Sequence, residues 1–174
     1  MKIGLLSDTH GFLDSRVFEY FADVDEIWHA GDIGSVEIID TLNEFKPSRI
    51  VYGNIDDTEV RTASDFMLRF KCEEVSVLMT HIGGKPGRYS QTLYEELEKN
   101  GAPTLFVCGH SHILLVKMDQ RHKMLWMNPG ACGNKGFHKV KTLLRFEING
   151  SKIENLEAIE LGPRGNGKSI DEMQ

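Results

Sequence analysis

Residues 109–112 read GHSH, and they follow TLFVC at 104–108, a short apolar run with Pro103 just before it. A run of that length, bounded by proline and glycine, suits a buried strand. Side chains alternate across extended backbone, so two histidines one residue apart would look toward one place. Two histidines on a surface loop would have no such relation, and the rest of the chain decides between these readings.

Working outward, KIGLLS (2–7), EIWHAG (26–31) and PSRIVYGN (47–54) read as three more short strands, each stopped by polar residues or glycine. DSRVFEYFAD (14–23) places Val17, Phe18 and Phe21 at helical spacing, with Asp14 or Ser15 as N-cap. SVEIIDTLNEF (35–45) places Val36, Ile39 and Leu42 on one face behind Ser35. This β-α-β-α-β order implies parallel strands with helices between them. In such sheets ligands bind beyond the carboxyl ends of the strands, and those ends read SDTH, HAGDIG and GNID.

The second half is richer in strands. FMLRFKC (66–72) and EVSVLMT (74–80) suit a hairpin around Glu73 and Glu74. YSQTLYEELEKNG (89–101) is an amphipathic helix with Leu93, Tyr94 and Leu97 inward and Gly101 as its stop. ILLVKMD with KMLWMN, and TLLRFEING with SKIENLEAI, form two further hairpins, the last turning at Asn149–Ser151. The expected fold class is α/β, a two-layer β-sandwich flanked by helices. One domain spans 1–161, and 162–174 is a polar, glycine-rich tail that we expect to dock on its own domain or on a neighbouring subunit.

With 174 residues the chain suits one domain with a sizeable core. The net charge of −6 argues against general affinity for nucleic acid or anionic membranes. Three cysteines without a C-x-x-C pair, Cys72, Cys108 and Cys132, read as buried thiols in a reducing compartment. The apolar start is too short for a signal peptide, and no stretch is long enough to cross a bilayer. The expectation is a cytoplasmic chain, possible as a homo-oligomer.

The polar strand ends hold Asp8, His10, Asp32, Asn54, His81, His110 and His112. Each piece alone is a common dipeptide or tripeptide. Together they follow apolar runs at one sheet edge, in one order. Imidazole, carboxylate and amide donors without thiolate suit first-row divalent ions. Two cations about 3.5–4 Å apart need a carboxylate that reaches both, and Asp32 is the candidate.

The order D-x-H, G-D, G-N, H, G-H-x-H resembles the calcineurin-like metallophosphoesterases, most of all their small bacterial and archaeal phosphodiesterase branch, over residues 2–159. The resemblance implies a helix-flanked β-sandwich and a dimetal phosphodiesterase acting on small phosphodiesters. It implies that Asp8, His10, Asp32 and His112 hold one ion, and that Asp32, Asn54, His81 and His110 hold the other. A hydroxide shared by the ions would be the nucleophile, with Asp32, Asn54 and His110 as the catalytic set. Mn²⁺ is the expected ion, and Ni²⁺, Co²⁺, Zn²⁺ and Fe remain open.

The chain departs from larger relatives at GNID, where Ile55 stands in place of a histidine that assists the leaving group. Asp56 either substitutes for it or caps the next turn. His29 either orients Asp32 or is a satisfied core histidine. Lys85 and Arg88 either catch a substrate phosphate or are solvated loop charges. NPGACGNKGFH (128–138) resembles an N-P-G-S loop beginning at Asn128, with Ala131 where serine is usual. His122 and His138 read as surface residues. A protein-binding scaffold on a retained fold and a phosphomonoesterase are the alternative functions.

Overall fold

The computed structural model describes residues 1–165, 168 and 169. In chain order the elements are β1 (Lys2–Leu6), α1 (Arg16–Tyr20), β2 (Glu26–His29), α2 (Val36–Phe45), β3 (Ser48–Ile50), α3 (Thr58–Thr62), β4 (Met67–Cys72), β5 (Val75–Thr80), β6 (Gly84–Lys85) and β7 (Arg88–Tyr89). There follow α4 (Gln91–Asn100), β8 (Leu105–Val107), β9 (Leu114–Asp119), β10 (Met124–Pro129), β11 (Val140–Asn149) and β12 (Lys152–Pro163). The three proposed hairpins are present as β4–β5, β9–β10 and β11–β12.

Two five-stranded sheets form, ordered β12-β11-β1-β2-β3 and β4-β5-β8-β10-β9. Each has a parallel core, β1-β2-β3 in one and β5-β8-β10 in the other, with antiparallel strands added outside. The α/β sandwich read from the sequence is therefore the observed architecture. Alternation along β1 shows how it packs. Ile3 and Leu5 enter the core between the sheets with Trp28, Val77, Met79, Val107 and Phe146. Leu6 points the other way, into a second core with Val17, Phe21, Ile39 and Leu42 under α1 and α2. Gly4 lies beneath the Phe21 ring, where a Cβ would stand 2.8 Å from it. Leu93 and Leu97 of α4 cover Leu78, Phe106 and Trp126 on the far face of the second sheet.

Two helical faces differ from expectation. Ile38 joins Ile39 and Leu42 in the buried face of α2, and Val36, at its first turn, is only half-buried. Tyr94 is 40% exposed, since the i, i+4 pair Leu93 and Leu97 already fills the contact. Ser90 caps α4 by accepting from Leu93 N–H at 3.2 Å. Ser35 and Ser15 occupy N-cap positions without a side-chain cap bond. Asp14 serves α1 instead, accepting from the Arg16 backbone N–H at 3.1 Å. α3 and the short β6–β7 pair escaped the sequence reading because five residues and two residues carry too little periodicity.

The C-terminal strand runs to Pro163, two residues past the expected end of the domain. Lys168 O accepts from Ser15 N–H at 3.1 Å, and Ser169 pairs with Asp14. Arg164 N–H also donates to Lys139 O at 2.9 Å and Gly165 N–H to Asn134 Oδ1 at 2.9 Å, while 166, 167 and 170–174 lie outside the described residues. Beneath that contact Lys141 is fully buried and donates to Asp14 Oδ2 at 2.6 Å, while Arg16 Nη2 donates to the same oxygen at 2.7 Å. Burial pushes the Asp14 carboxyl up, but the hydrogen bonds from Arg16 and Lys141 outweigh this and hold it down at about 2.

A carboxylate depressed on folding stabilises above its unfolded pKa of about 4 and loses that contribution as pH falls toward 2. Asp14 should therefore supply roughly 2 kcal/mol that disappears across that window. Asp14→Asn should flatten the acid limb of stability, measured by denaturant unfolding between pH 6 and pH 2. Lys141→Met should cost about 3 kcal/mol at pH 7, because it strips a partner from a buried charge. An Asp14→Asn protein as acid-sensitive as the parent would refute the assignment.

Candidate metal centre

The carboxyl ends of the parallel strands of both sheets meet at one edge. β1 delivers Asp8 and His10, β2 delivers Asp32, β3 delivers Asn54, β5 delivers His81, and β8 delivers His110 and His112. Backbone bonds lace these loops together. Asp8 N–H donates to Gly31 O at 2.9 Å, His10 N–H to Asp32 O at 2.9 Å, and Gly109 N–H to His81 O at 3.0 Å.

The expectation that extended backbone aims His110 and His112 at one point is corrected. β8 ends at Val107 and β1 at Leu6, before the candidate ligands begin. Asp8, His10, Asp32, His110 and His112 all sit in the left-handed region, with φ of 56°, 51°, 54°, 66° and 57°. Such positions are costly for side chains larger than glycine and cluster at functional sites. The tight turns separate His110 from His112 instead of aligning them.

Two ligand groups result. Asp8, His10 and His112 form one, and Asp32, His81 and His110 form the other. Asp32 lies between them. Its Oδ2 is 3.7 Å from His10 Nε2 and its Oδ1 is 3.2 Å from His81 Nε2. His112 Nε2 stands 3.2 Å from both Asp8 Oδ1 and His10 Nε2. Asp8 Oδ2 is engaged by His110 N–H at 3.1 Å, whereas Asp8 Oδ1 and His81 Nε2 are buried without a hydrogen-bond partner. Each of these atoms faces an imidazole or carboxylate partner at 3.2 Å without forming a hydrogen bond, an arrangement that a cation between the two groups would satisfy. That observation, with an all-N/O donor set, fits divalent metal ions. Asn54 is exposed at the rim, where it lines a cavity with His81.

The electrostatics agree. Burial alone would raise the Asp32 carboxyl, yet the facing His81 and the Ile55 N–H at 3.1 Å bring it below its ordinary value. Burial disfavours a charged His81, but Asp32 and Asp8 overcome this and raise its pKa. Negative charge thus dominates around that nitrogen, and a cation would relieve it.

The surrounding residues fix tautomers and loops. His29 is fully buried, which pushes its pKa down to about 4 and keeps it neutral. Its Nδ1 accepts from Gly31 N–H at 3.1 Å, so Nε2–H donates to Thr9 Oγ1 at 2.9 Å, and Thr9 donates on to Ile33 O. His29 therefore ties the β1 and β2 loops together and contacts the residue before Asp32. Asp56 is neither a free acid nor the cap of α3. Its carboxylate accepts from Ile33, Gly34 and Gly53 N–H, and Asp57 caps the helix by accepting from Val60 N–H at 3.0 Å. Asn128 braces the GHSH turn, donating to Gly109 O at 2.7 Å and Ser111 Oγ at 3.1 Å. The glycines of G-N and G-H are required by close approach: a Cβ at Gly53 would overlap Asp32 Oδ1, and one at Gly109 would overlap Ser7 and crowd Asp8.

His138 is not a bystander on the surface. Its Nε2 donates to Gly133 O at 3.0 Å, which leaves Nδ1 to accept from His112 Nδ1–H at 3.2 Å. His112 is thereby held with the lone pair of Nε2 toward Asp8. His122 is half-buried against the Tyr89 ring, 5.3 Å between centroids, and so is not a free surface residue either. Arg88 and Lys85 are exposed on the paired strands β7 and β6, and neither lines the cavity beside His81. Arg61 does line it, from the unforeseen helix α3. Ile55 is 46% exposed, and its backbone rather than its side chain serves the site.

His138→Ala should weaken divalent-ion binding about 10- to 100-fold in competition with a chelating dye, without loss of helical signal by circular dichroism. His138→Gln keeps an acceptor for His112 and should lose less. Unaltered affinity in His138→Ala would contradict the tautomer chain.

Comparison with known proteins bears on the family and the fold. The model of the calcineurin-like phosphoesterase superfamily domain matches residues 1–151. A probable metallophosphoesterase of Methanothermobacter thermautotrophicus is 33% identical over 138 residues, covering 75% of this chain and 77% of its own. A phosphodiesterase of Methanocaldococcus jannaschii is 26% identical over 148 residues, covering 76% and 84%. Among solved structures, Vps29 of Chaetomium thermophilum superposes with a TM-score of 0.72 at 14% identity over 94% of this chain and 98% of its own. An archaeal phosphodiesterase gives 0.68 at 22% over 92% and 100%. At those identities the structural matches establish the fold alone. The family model and the M. thermautotrophicus relative establish more: this chain belongs to the calcineurin-like phosphoesterase superfamily.

Proposed function

We propose that the protein is a metal-dependent phosphodiesterase with a two-ion centre, acting on small phosphodiesters. The observation that carries this reading is the placement of Asp32, one carboxylate oxygen toward each ligand group, with Asp8 Oδ1 and His81 Nε2 buried and making no hydrogen bond. Asp8, His10, His112 and Asp32 would hold one ion, and Asp32, His81, His110 and Asn54 the other. Two such ions would lower the pKa of a water molecule and neutralise charge on phosphoryl oxygens.

The chain's own groups do the rest. The Ile55 N–H on Asp32 Oδ1 fixes the shared carboxylate. The carbonyl of Ala30 accepts from His81 Nδ1–H at 2.8 Å and leaves Nε2 directed at the centre. The exposed amide of Asn54 would donate to a phosphoryl oxygen arriving from solvent. With Ile55 at the vacant acid position and Asp56 committed to three backbone amides, no side chain there protonates the leaving oxygen. Esters of good leaving groups are therefore favoured over alkyl esters by up to about 10²–10⁴-fold.

A binding scaffold would gain nothing from burying facing carboxylates and imidazoles that form no hydrogen bond with one another. The three buried free thiols fit a reducing compartment, which we take to be the cytoplasm.

Metal-free protein should be inactive on nitrophenyl diesters and regain turnover when Mn²⁺, Ni²⁺, Co²⁺ or Zn²⁺ is restored singly, with monoesters cleaved more slowly. Asn54→Ala and His81→Ala should each lower turnover at least about 100-fold while folding normally. Full activity in the presence of chelator, or either variant active with its metals bound, would overturn the proposal.

A further inference from the structure

A cavity of about 330 Å³ opens directly beside the centre, sharing Asn54 and His81 with it. Tyr52, Phe66 and Ile82 line it together with the polar side chains of Arg61, Thr80, Ser90 and Thr92. The rings of Tyr52 and Phe66 stand 5.7 Å apart at 43°. Phe66 is 52% exposed and Ile82 40% exposed. Large apolar side chains left open to water next to a highly polar centre mark a place where something apolar is received.

A cation is fixed at the same cavity. Arg61 Nε donates to Asp56 O at 2.7 Å and Nη2 to Asn54 O at 3.4 Å, and the guanidinium lies 5.2 Å from the Tyr52 ring centroid. Asp56 is itself anchored by three loop amides, so Arg61 is held on a rigid support. Ile82 is likewise held, its carbonyl accepting from Ser90 Oγ at 2.8 Å. Two residues of the lining are therefore anchored to the backbone around the centre.

We infer that this cavity is a subsite for one planar aromatic arm of the phosphodiester, such as the base of a small nucleotide. The inference rests on the two-ion phosphodiesterase reading, which puts the phosphate at His81 and Asn54 and sends one ester arm across Phe66. A flat ring finds aromatic and apolar faces to stack on, and a guanidinium beside it adds cation–π attraction. The volume suits one ring system and not a run of nucleotides. The net charge of −6 also works against holding a polyanion.

The test is calorimetric binding of three monoesters to the Mn²⁺-loaded protein: methyl, cyclohexyl and phenyl phosphate. Phenyl phosphate should bind about tenfold or more tightly than methyl phosphate, and more tightly than cyclohexyl phosphate. Phe66→Ala and Ile82→Ala, both at half-exposed positions, should each shrink the phenyl-to-methyl ratio to within about threefold of unity. Equal affinity for all three esters would overturn the subsite and leave the metal centre standing. Cyclohexyl phosphate bound as tightly as phenyl would overturn it too, since bulk rather than planarity would then decide. A phenyl preference intact in both variants would place the ring elsewhere and defeat the inference. No binding of any ester would overturn the subsite together with the phosphodiesterase reading.

Discussion

The position of the Asp32 carboxylate governs the site. It is nearly buried, lies in left-handed backbone, and faces imidazoles on opposite sides. A carboxylate so placed cannot draw on water, so every element around it is arranged to neutralise or orient it. The Ile55 amide comes from the loop after β3, His10 from the loop after β1, and His81 from the end of β5 in the other sheet. Joining the two sheets at that edge and building the centre are therefore one structural requirement.

That requirement explains where the fold accepts strain. Five of the candidate ligands occupy left-handed φ values, at about 1 kcal/mol or more each. The cost is offset away from the site, by the apolar layer between the sheets and by the polar ties at the loop bases. His29, Asp56 and Asn128 together engage the amides or carbonyls of Gly31, Ile33, Gly34, Gly53, Gly109 and Gly130. They make the ligand loops rigid before any ion arrives, which lowers the ordering entropy that binding would otherwise demand.

The fold was legible because strand length and turn residues are local signals, and the ligand set because each member closes an apolar run. Glycine before Asp32, Asn54 and His110 was visible as a pattern, but its reason was not. Only packing shows that a Cβ at Gly53 would fall on Asp32. His138 lies 26 residues from the histidine it orients, in a loop with no periodicity, so nothing local marks it. Arg61 was missed because a single turn of helix leaves no trace in sequence. Asp56 was misread because its amide partners lie about 20 residues away as well as three. The alternation argument for GHSH pointed to His110 and His112 by the wrong geometry: strand periodicity ends at Val107, and the turn sends them to separate candidate ligand groups.

The most direct test of the central claim is an anomalous difference map from crystals loaded with Mn²⁺, collected at an energy where manganese scatters anomalously. Two peaks about 3.5–4 Å apart, one on each side of Asp32, are the predicted result. The first should contact Asp8, His10 and His112, and the second His81, His110 and Asn54. A map without a peak in reach of the Asp32 carboxylate would contradict the account.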